Sequence, residues 1–127
     1  MSVEQKFFLC KKCGNLVGQI SGKMVPMVCC GEEMTEIVPN TVEASKEKHL
    51  PTVNVAGSTV EVQIGSEPHP MEEAHHIQFV YMGTGRGGQR KNLKVGEAPK
   101  LKFSLTEDEP LAVYAYCNLH GLWKTVI

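Results

Sequence analysis

The stretch Cys117-Asn118-Leu119-His120-Gly121 places a thiol and an imidazole three residues apart, across a turn that Gly121 can close. Both side chains can therefore face one metal ion. Three more histidines, His49, His69 and His75, stand upstream in loop-like sequence, where they can converge on the same ion. Structural zinc is almost always satisfied by four ligands. A candidate set of four imidazoles and one thiolate exceeds that number, so it points to a redox metal, iron first.

A second cluster lies near the other end of the chain, in Cys10-Lys11-Lys12-Cys13-Gly14 and Cys29-Cys30-Gly31. Residues 6 to 38 are too few to bury much apolar surface, and a unit this small needs a metal or a disulfide to hold it. With no secretion signal before them, four closely spaced cysteines point to metal or redox chemistry more than to a disulfide framework. In a Cys-x-x-Cys knuckle the two thiolates straddle one turn, and Gly14 can take the positive φ that brings backbone amides to the sulfurs. Adjacent side chains on a strand point to opposite faces, so Cys29 and Cys30 can share an ion only if the backbone bends there, which Gly31 eases. The expected result is a four-sulfur tetrahedron distorted at this end. Zinc and iron suit it equally by geometry, so a structural zinc ribbon stands beside an iron site. A thioredoxin-like dithiol is disfavoured because no βαβ pattern follows.

These ligands need elements to carry them. Residues 39–51 read as a linker and first ligand loop, with one helical turn from Val42 to Ser45 and His49 in extended chain, because Pro51 biases Leu50 away from helix. From Thr52 onward the pattern is β. Strands are expected at about 52–56, 59–64, 77–82, 89–93, 100–105, 111–117 and 122–126, separated by turn signals. About seven short strands argue for an immunoglobulin-like antiparallel β-sandwich, which gathers its loops at two ends. The fold class is thus mainly β, with a metal-binding N-terminal domain over 1–38 and the sandwich over 52–127. Alternation puts Leu111, Val113, Ala115 and Cys117 on one face and Tyr114 and Tyr116 on the other. His69 is held in extended backbone between Pro68 and Pro70, His75 stands at the entrance to the next strand, and His76 points away as a bystander.

Composition excludes other classes. Across 127 residues the formal net charge is −1, with 13 Lys+Arg against 14 Asp+Glu, so no electrostatic footprint for nucleic acid or an anionic membrane is visible. No apolar run approaches the ~20 residues of a membrane span, and the expectation is a soluble cytoplasmic protein. The basic, glycine-rich run Gly83–Arg90 lacks the Lys-Ser/Thr ending of a phosphate-binding loop and reads as a flexible hairpin loop. Met71 and Met82 read as packing residues. Leu101, Phe103 and Leu105 read as a core face, and Trp123 as a neighbour of the histidine site.

Taken in order, Cys10-x-x-Cys13 with Cys29-Cys30, Glu47-Lys48-His49-x-Pro51, His69-Pro70-Met71-Glu72-Glu73-x-His75 and Cys117-Asn118-x-His120-Gly121-x-Trp123 resemble desulfoferrodoxin, the two-iron class of superoxide reductase. The resemblance covers the whole chain. It implies a distorted rubredoxin- or desulforedoxin-like iron on Cys10, Cys13, Cys29 and Cys30. It also implies a second, catalytic iron in a square of His49, His69, His75 and His120, with Cys117 as the axial thiolate opposite an open sixth position. Where many relatives carry Trp, this chain has Phe79, a change in packing that removes no ligand.

The implied activity is one-electron reduction of superoxide to hydrogen peroxide without release of dioxygen, a detoxifying reaction. The axial thiolate pushes electron density toward the bound oxygen. Each turnover needs an external electron, so a small carrier such as rubredoxin is the implied partner, and a homodimer the implied assembly. Lys48 offers positive charge beside a ligand, to attract the anion and aid its protonation. The resemblance gives Glu47 a capping role at the vacant position after turnover. Two other readings stand beside this one: an electron carrier in which the four-cysteine iron is the functional centre, and a zinc-ribbon binding module, which leaves the histidine set unexplained.

Overall fold

The computed structural model describes residues 4–23 and 25–127; residues 1–3 and 24, within the expected first domain, lie outside the described residues. Contacts divide the chain into two compact units, one ending at Val38 and the other Pro39–Ile127.

In the first unit, β1 (Lys6–Leu9), β2 (Leu16–Gln19), β3 (Val28–Cys29), β4 (Glu32–Glu33) and β5 (Thr35–Glu36) follow one another. The strand β1 sits between β2 and β5 in one antiparallel sheet, while β3 and β4 form a separate hairpin. Phe8, Cys10 and Met34 make its core, with Val17, Met27 and Cys29 packed against them. Two of those six core residues are cysteines, so a shared ion would tie the core itself together.

The second unit opens with α1 (Lys46–His49) and continues as β6 (Pro51–Ala56), β7 (Thr59–Ile64), β8 (Ile77–Thr84), β9 (Gly87–Asn92), β10 (Lys100–Ser104), β11 (Pro110–Cys117) and β12 (Gly121–Val126). The seven expected strands are all present. They form two antiparallel sheets, ordered β10-β7-β6 and β12-β11-β8-β9. Period-2 alternation explains the core: Val60, Val62 and Ile64 of β7 are buried while Glu61 between them is exposed. These three and Phe103 of β10 meet Val80 and Met82 of β8 and Val113, Ala115 and Cys117 of β11. Each fully buried side chain of Val or Ile size contributes about 1.5–3 kcal/mol. The fold is the expected β-sandwich, and Cys117, a candidate ligand, belongs to its core.

Two local expectations are corrected. The helical turn lies at Lys46–His49, not Val42–Ser45, so His49 ends a helix and is 3% exposed instead of standing in extended chain. Pro51 sets the stop: Leu50 turns to φ −68°, ψ 125°, while its N–H still closes the turn on the Lys46 carbonyl at 2.9 Å. The glycine-rich run is mostly strand, with Thr84 paired to Gly87 and Gly83 to Gly88. A Cβ on Gly88 would collide with the Tyr81 ring, so this glycine makes room for the tyrosine. The turn is pinned from across the loop, where Asp108 accepts from Thr84 Oγ1 at 2.6 Å and from Arg86 N–H at 3.0 Å.

Candidate metal centres

In the first unit, Gly14 N–H donates to the Cys10 carbonyl at 2.8 Å and Cys10 N–H to the Asn15 carbonyl at 2.9 Å, closing the knuckle with Gly14 at φ +80°. At the other side β3 and β4 are joined through Cys30 and Gly31 alone, with φ of 54° and 75°. Positive φ at both positions is the pattern of a type I′ hairpin, which demands it. The bend thus begins at Cys30 itself, and it cancels the strand alternation that would send Cys29 and Cys30 apart. The four sulfurs all lie within 4.8 Å of one another. A tetrahedron of 2.3 Å metal–sulfur bonds has edges of about 3.8 Å; Cys13 to Cys29 is 3.6 Å and Cys29 to Cys30 is 4.0 Å.

The charge pattern fits the same reading. The Cys13 N–H draws the Cys10 thiol down to about 6, against desolvation and with help from the Lys12 N–H. Hydrogen bonds to Cys10 and then Cys13 push Cys29 up to about 12, and a hydrogen bond to Cys13 first of all raises Cys30. Cys10 is the favoured anion, and Cys29 and Cys30 are pushed toward the protonated form beside it. A cation at the centre removes that conflict and lets the thiols ionise together.

The second unit brings the histidines together. Going round His49, His69, His75 and His120, adjacent ring centroids are 4.7, 4.6, 5.0 and 4.9 Å apart, with planes at 75–85°. The diagonal from His49 to His75 is 6.3 Å. Those edges and that diagonal describe a near-square propeller of imidazoles. His49 Nε2 and His120 Nδ1 are 3.1 Å apart, close to the roughly 3.0 Å edge that 2.1 Å metal–nitrogen bonds give at a right angle. Donor atoms of His49, His69, His75 and Cys117 lie within 4.8 Å of one another, and Cys117 Sγ is 4.0 Å from His120 Nδ1.

Each candidate ligand has a local reason for its aim. His49 Nδ1–H donates to the Ser45 carbonyl at 2.6 Å and His69 Nδ1–H to the Pro70 carbonyl at 2.7 Å, which leaves the lone pair on Nε2 in both rings. The turn after β7 grips the helix: Glu67 N–H donates to the Glu47 carbonyl at 2.9 Å and Gly65 N–H to the Leu50 carbonyl at 3.1 Å. Gly65 has φ +82°, and a Cβ there would stand 2.7 Å from the Glu47 oxygen and the Lys48 carbonyl carbon. Cys117, fully buried at the end of β11, receives the His120 N–H at 3.4 Å.

The donor set fits a metal. His69 Nε2 and His75 Nε2 are buried without a hydrogen-bond partner, a rare and costly state for a polar atom. Burial lowers the pKa of His49 and His75 and takes His69 down to about 4, which favours the neutral, ligating form of these three rings. Burial raises the Cys117 thiol, which favours ionisation only when a cation is close.

Of the two non-ligand residues singled out in the sequence, both lie exposed on α1. Lys48 contributes, after burial and the other imidazoles, to lowering His49. The Glu47 carboxylate is held below its ordinary range by its own backbone N–H and then by the Ser45 hydroxyl, so it is turned to the start of the helix. His76 stays outside the square, with Nδ1 3.0 Å from the Glu72 carbonyl. Trp123 does adjoin the site. Sequence reasoning missed Ser45, Gly65 and the clamp made by Asn118; Pro70, singled out for holding His69 in extended backbone, also supplies the carbonyl that fixes the His69 ring.

Fold and sites together define a β-sandwich metalloprotein with a separate four-thiol centre. A profile of the family Desulfoferrodoxin matches residues 41–126. The desulfoferrodoxin of Syntrophotalea carbinolica is 39% identical over 98% of both chains, and that of Nitratidesulfovibrio vulgaris 36% identical over 98% of both. Among solved structures, the superoxide reductase from Treponema pallidum superposes with a TM-score of 0.82 at 39% identity, covering 97% of this chain and 99% of that one. The one-iron superoxide reductase from Giardia intestinalis covers 65% of this chain and 98% of its own, with a TM-score of 0.57 at 26% identity. The chain belongs to the desulfoferrodoxin family.

Proposed function

We propose that this protein is a superoxide reductase of the two-iron class, acting at the histidine–cysteine centre. The observation that carries the reading is the square of four imidazoles closed on the buried thiol of Cys117, with two nitrogens that have no protein partner. His49, His69, His75, His120 and Cys117 would together hold an iron. Bound ferrous iron supplies one electron to superoxide, which with two protons becomes hydrogen peroxide and yields no dioxygen.

The chain's own groups do the rest. The Lys48 ammonium, exposed on α1 beside His49, adds positive charge that helps to draw in the anion. The same ammonium stabilises developing negative charge and orients a proton-donating water. Glu47, one residue earlier, is assigned the capping role after turnover, which requires its carboxylate to leave Ser45. Cys10, Cys13, Cys29 and Cys30 would hold the first iron as a separate domain, up to about residue 38, with 39–51 as linker and first ligand loop.

The electron comes from a small carrier of the rubredoxin type, and the family resemblance supports a homodimer. Among the described residues no helix is long and apolar enough to cross a membrane. Five cysteines with no disulfide among them favour a reducing compartment, so the site of action is assigned to the cytoplasm.

The test is metal content per chain. About two irons are expected in the parent, about one in Cys13→Ser, and about one in the double variant Cys117→Ser, His120→Ala. Zinc alone, unchanged in the double variant, would return the histidines to ordinary loop residues.

A further inference from the structure

His75 is the ligand whose support is least local. It stands in the loop between β7 and β8, where its backbone exchanges hydrogen bonds with Glu72 at 2.9 and 3.1 Å. That pair shapes the loop but does not tie it to the other ligands. The tie is Asn118, which lies between Cys117 and His120 on the opposite segment. Its Oδ1 accepts from His76 N–H at 2.8 Å, its Nδ2–H donates to the Ala74 carbonyl at 3.0 Å, and its own N–H donates to the His76 carbonyl at 3.2 Å. The first two bonds clamp the residues on either side of His75 with one planar amide. The third continues the β11–β8 ladder just beyond the Cys117–Ile77 pair, where the register shifts.

We infer that Asn118 is a positioning residue for the metal site: its carboxamide fixes His75 relative to Cys117 and His120. The inference rests on the metal reading above. A side chain that both donates and accepts at these two points is needed. Aspartate of the same shape keeps the bond from His76 N–H but sets a carboxylate oxygen against the Ala74 carbonyl. Alanine leaves both backbone groups without their partner.

Cobalt(II) titration of the protein, with its four-cysteine site already filled with zinc, tests this through affinity and through the thiolate-to-cobalt absorption band. The variants are Asn118→Ala, Asn118→Asp, His75→Ala and Asn118→Ala combined with His75→Ala. Loss of a group that orients a ligand weakens metal binding about 10–100-fold. Asn118→Ala and Asn118→Asp should both fall in that range and shift the band. In the His75→Ala background, Asn118→Ala should add less than about threefold, because the two act through one ligand. Full additivity would make Asn118 merely a structural residue and overturn the inference. So would unchanged affinity and band in Asn118→Asp, the variant closest in shape, whatever the folding of the alanine variant. If the parent binds no cobalt beyond the zinc-filled site, the metal reading falls and this inference with it; normal parent binding with unaffected Asn118 variants overturns the inference alone.

Discussion

The indole of Trp123 lies on the imidazole of His49, with centroids 4.9 Å apart and planes at 28°, and its Nε1–H donates to the His120 carbonyl at 3.1 Å. One residue thus backs His49 by stacking and His120 by hydrogen bonding, from β12 just past the turn that carries both Cys117 and His120. Trp123 is 1% exposed, so it also closes that side to water.

Trp123→Ala should lower unfolding stability by about 3–5 kcal/mol, the range for removing a buried aromatic side chain. Trp123→Phe keeps a ring on His49 but leaves the His120 carbonyl without its donor, at a cost of about 1–3 kcal/mol. Denaturant unfolding of the chelator-treated protein measures both. Equal stability of the alanine variant and the parent would contradict the packing described.

Gly65→Ala should damage the histidine site from a distance. The added carbon meets the Glu67 carbonyl oxygen within the turn and backbone atoms of Glu47 and Lys48 across it, none of which can rotate away, and the residue also has positive φ. The expected loss exceeds about 1 kcal/mol, with weakened metal binding because α1 and the His69 turn must separate. Normal stability with full metal content would show that the helix can shift without moving His49.

Acid should destabilise the metal-free protein between pH 6.5 and about 4. His69 falls from 6.5 to about 4 on folding because it is buried, so within that window the unfolded chain takes up a proton and the folded chain does not. Stability is fully present above 6.5 and is lost as pH falls toward 4; His49 and His75 shift in the same direction. Unfolding curves at pH 7 and pH 5 in the presence of chelator check this. Greater stability at pH 5 would mean that the imidazoles are charged in the fold.

Lys48→Ile should slow the second-order reaction with superoxide by about tenfold or more at low ionic strength and flatten its salt dependence, without emptying the metal site. Stopped-flow or pulse-radiolysis rates in the two proteins, across a salt series, decide it. Unchanged rates at low salt would remove Lys48 from the mechanism.

Much of this was legible in the sequence because its signals are local. Alternation in Thr59–Ile64 and Leu111–Cys117 gives strands directly, and ligand-type residues with glycine or proline beside them stand out singly. The helix at Lys46–His49 lies four residues beyond the turn that the sequence suggests, because a single turn has no periodicity; its position is set by the Pro51 stop and by contacts with the distant Gly65 turn. The Gly83–Gly88 ladder was hidden for a related reason: glycine signals loop unless one knows that Tyr81 fills the space. Asn118 escaped notice as a clamp because its partners lie more than forty residues earlier in the chain.

The most direct test of the central claim is product stoichiometry. The protein, reduced and free of oxygen, is given a measured pulse of superoxide while dioxygen and hydrogen peroxide are followed together. The account predicts one hydrogen peroxide for each superoxide consumed, one electron drawn from the protein, and no dioxygen. Dioxygen appearing at half the superoxide consumed would identify a dismutase and contradict reduction at the His49, His69, His75, His120 and Cys117 centre.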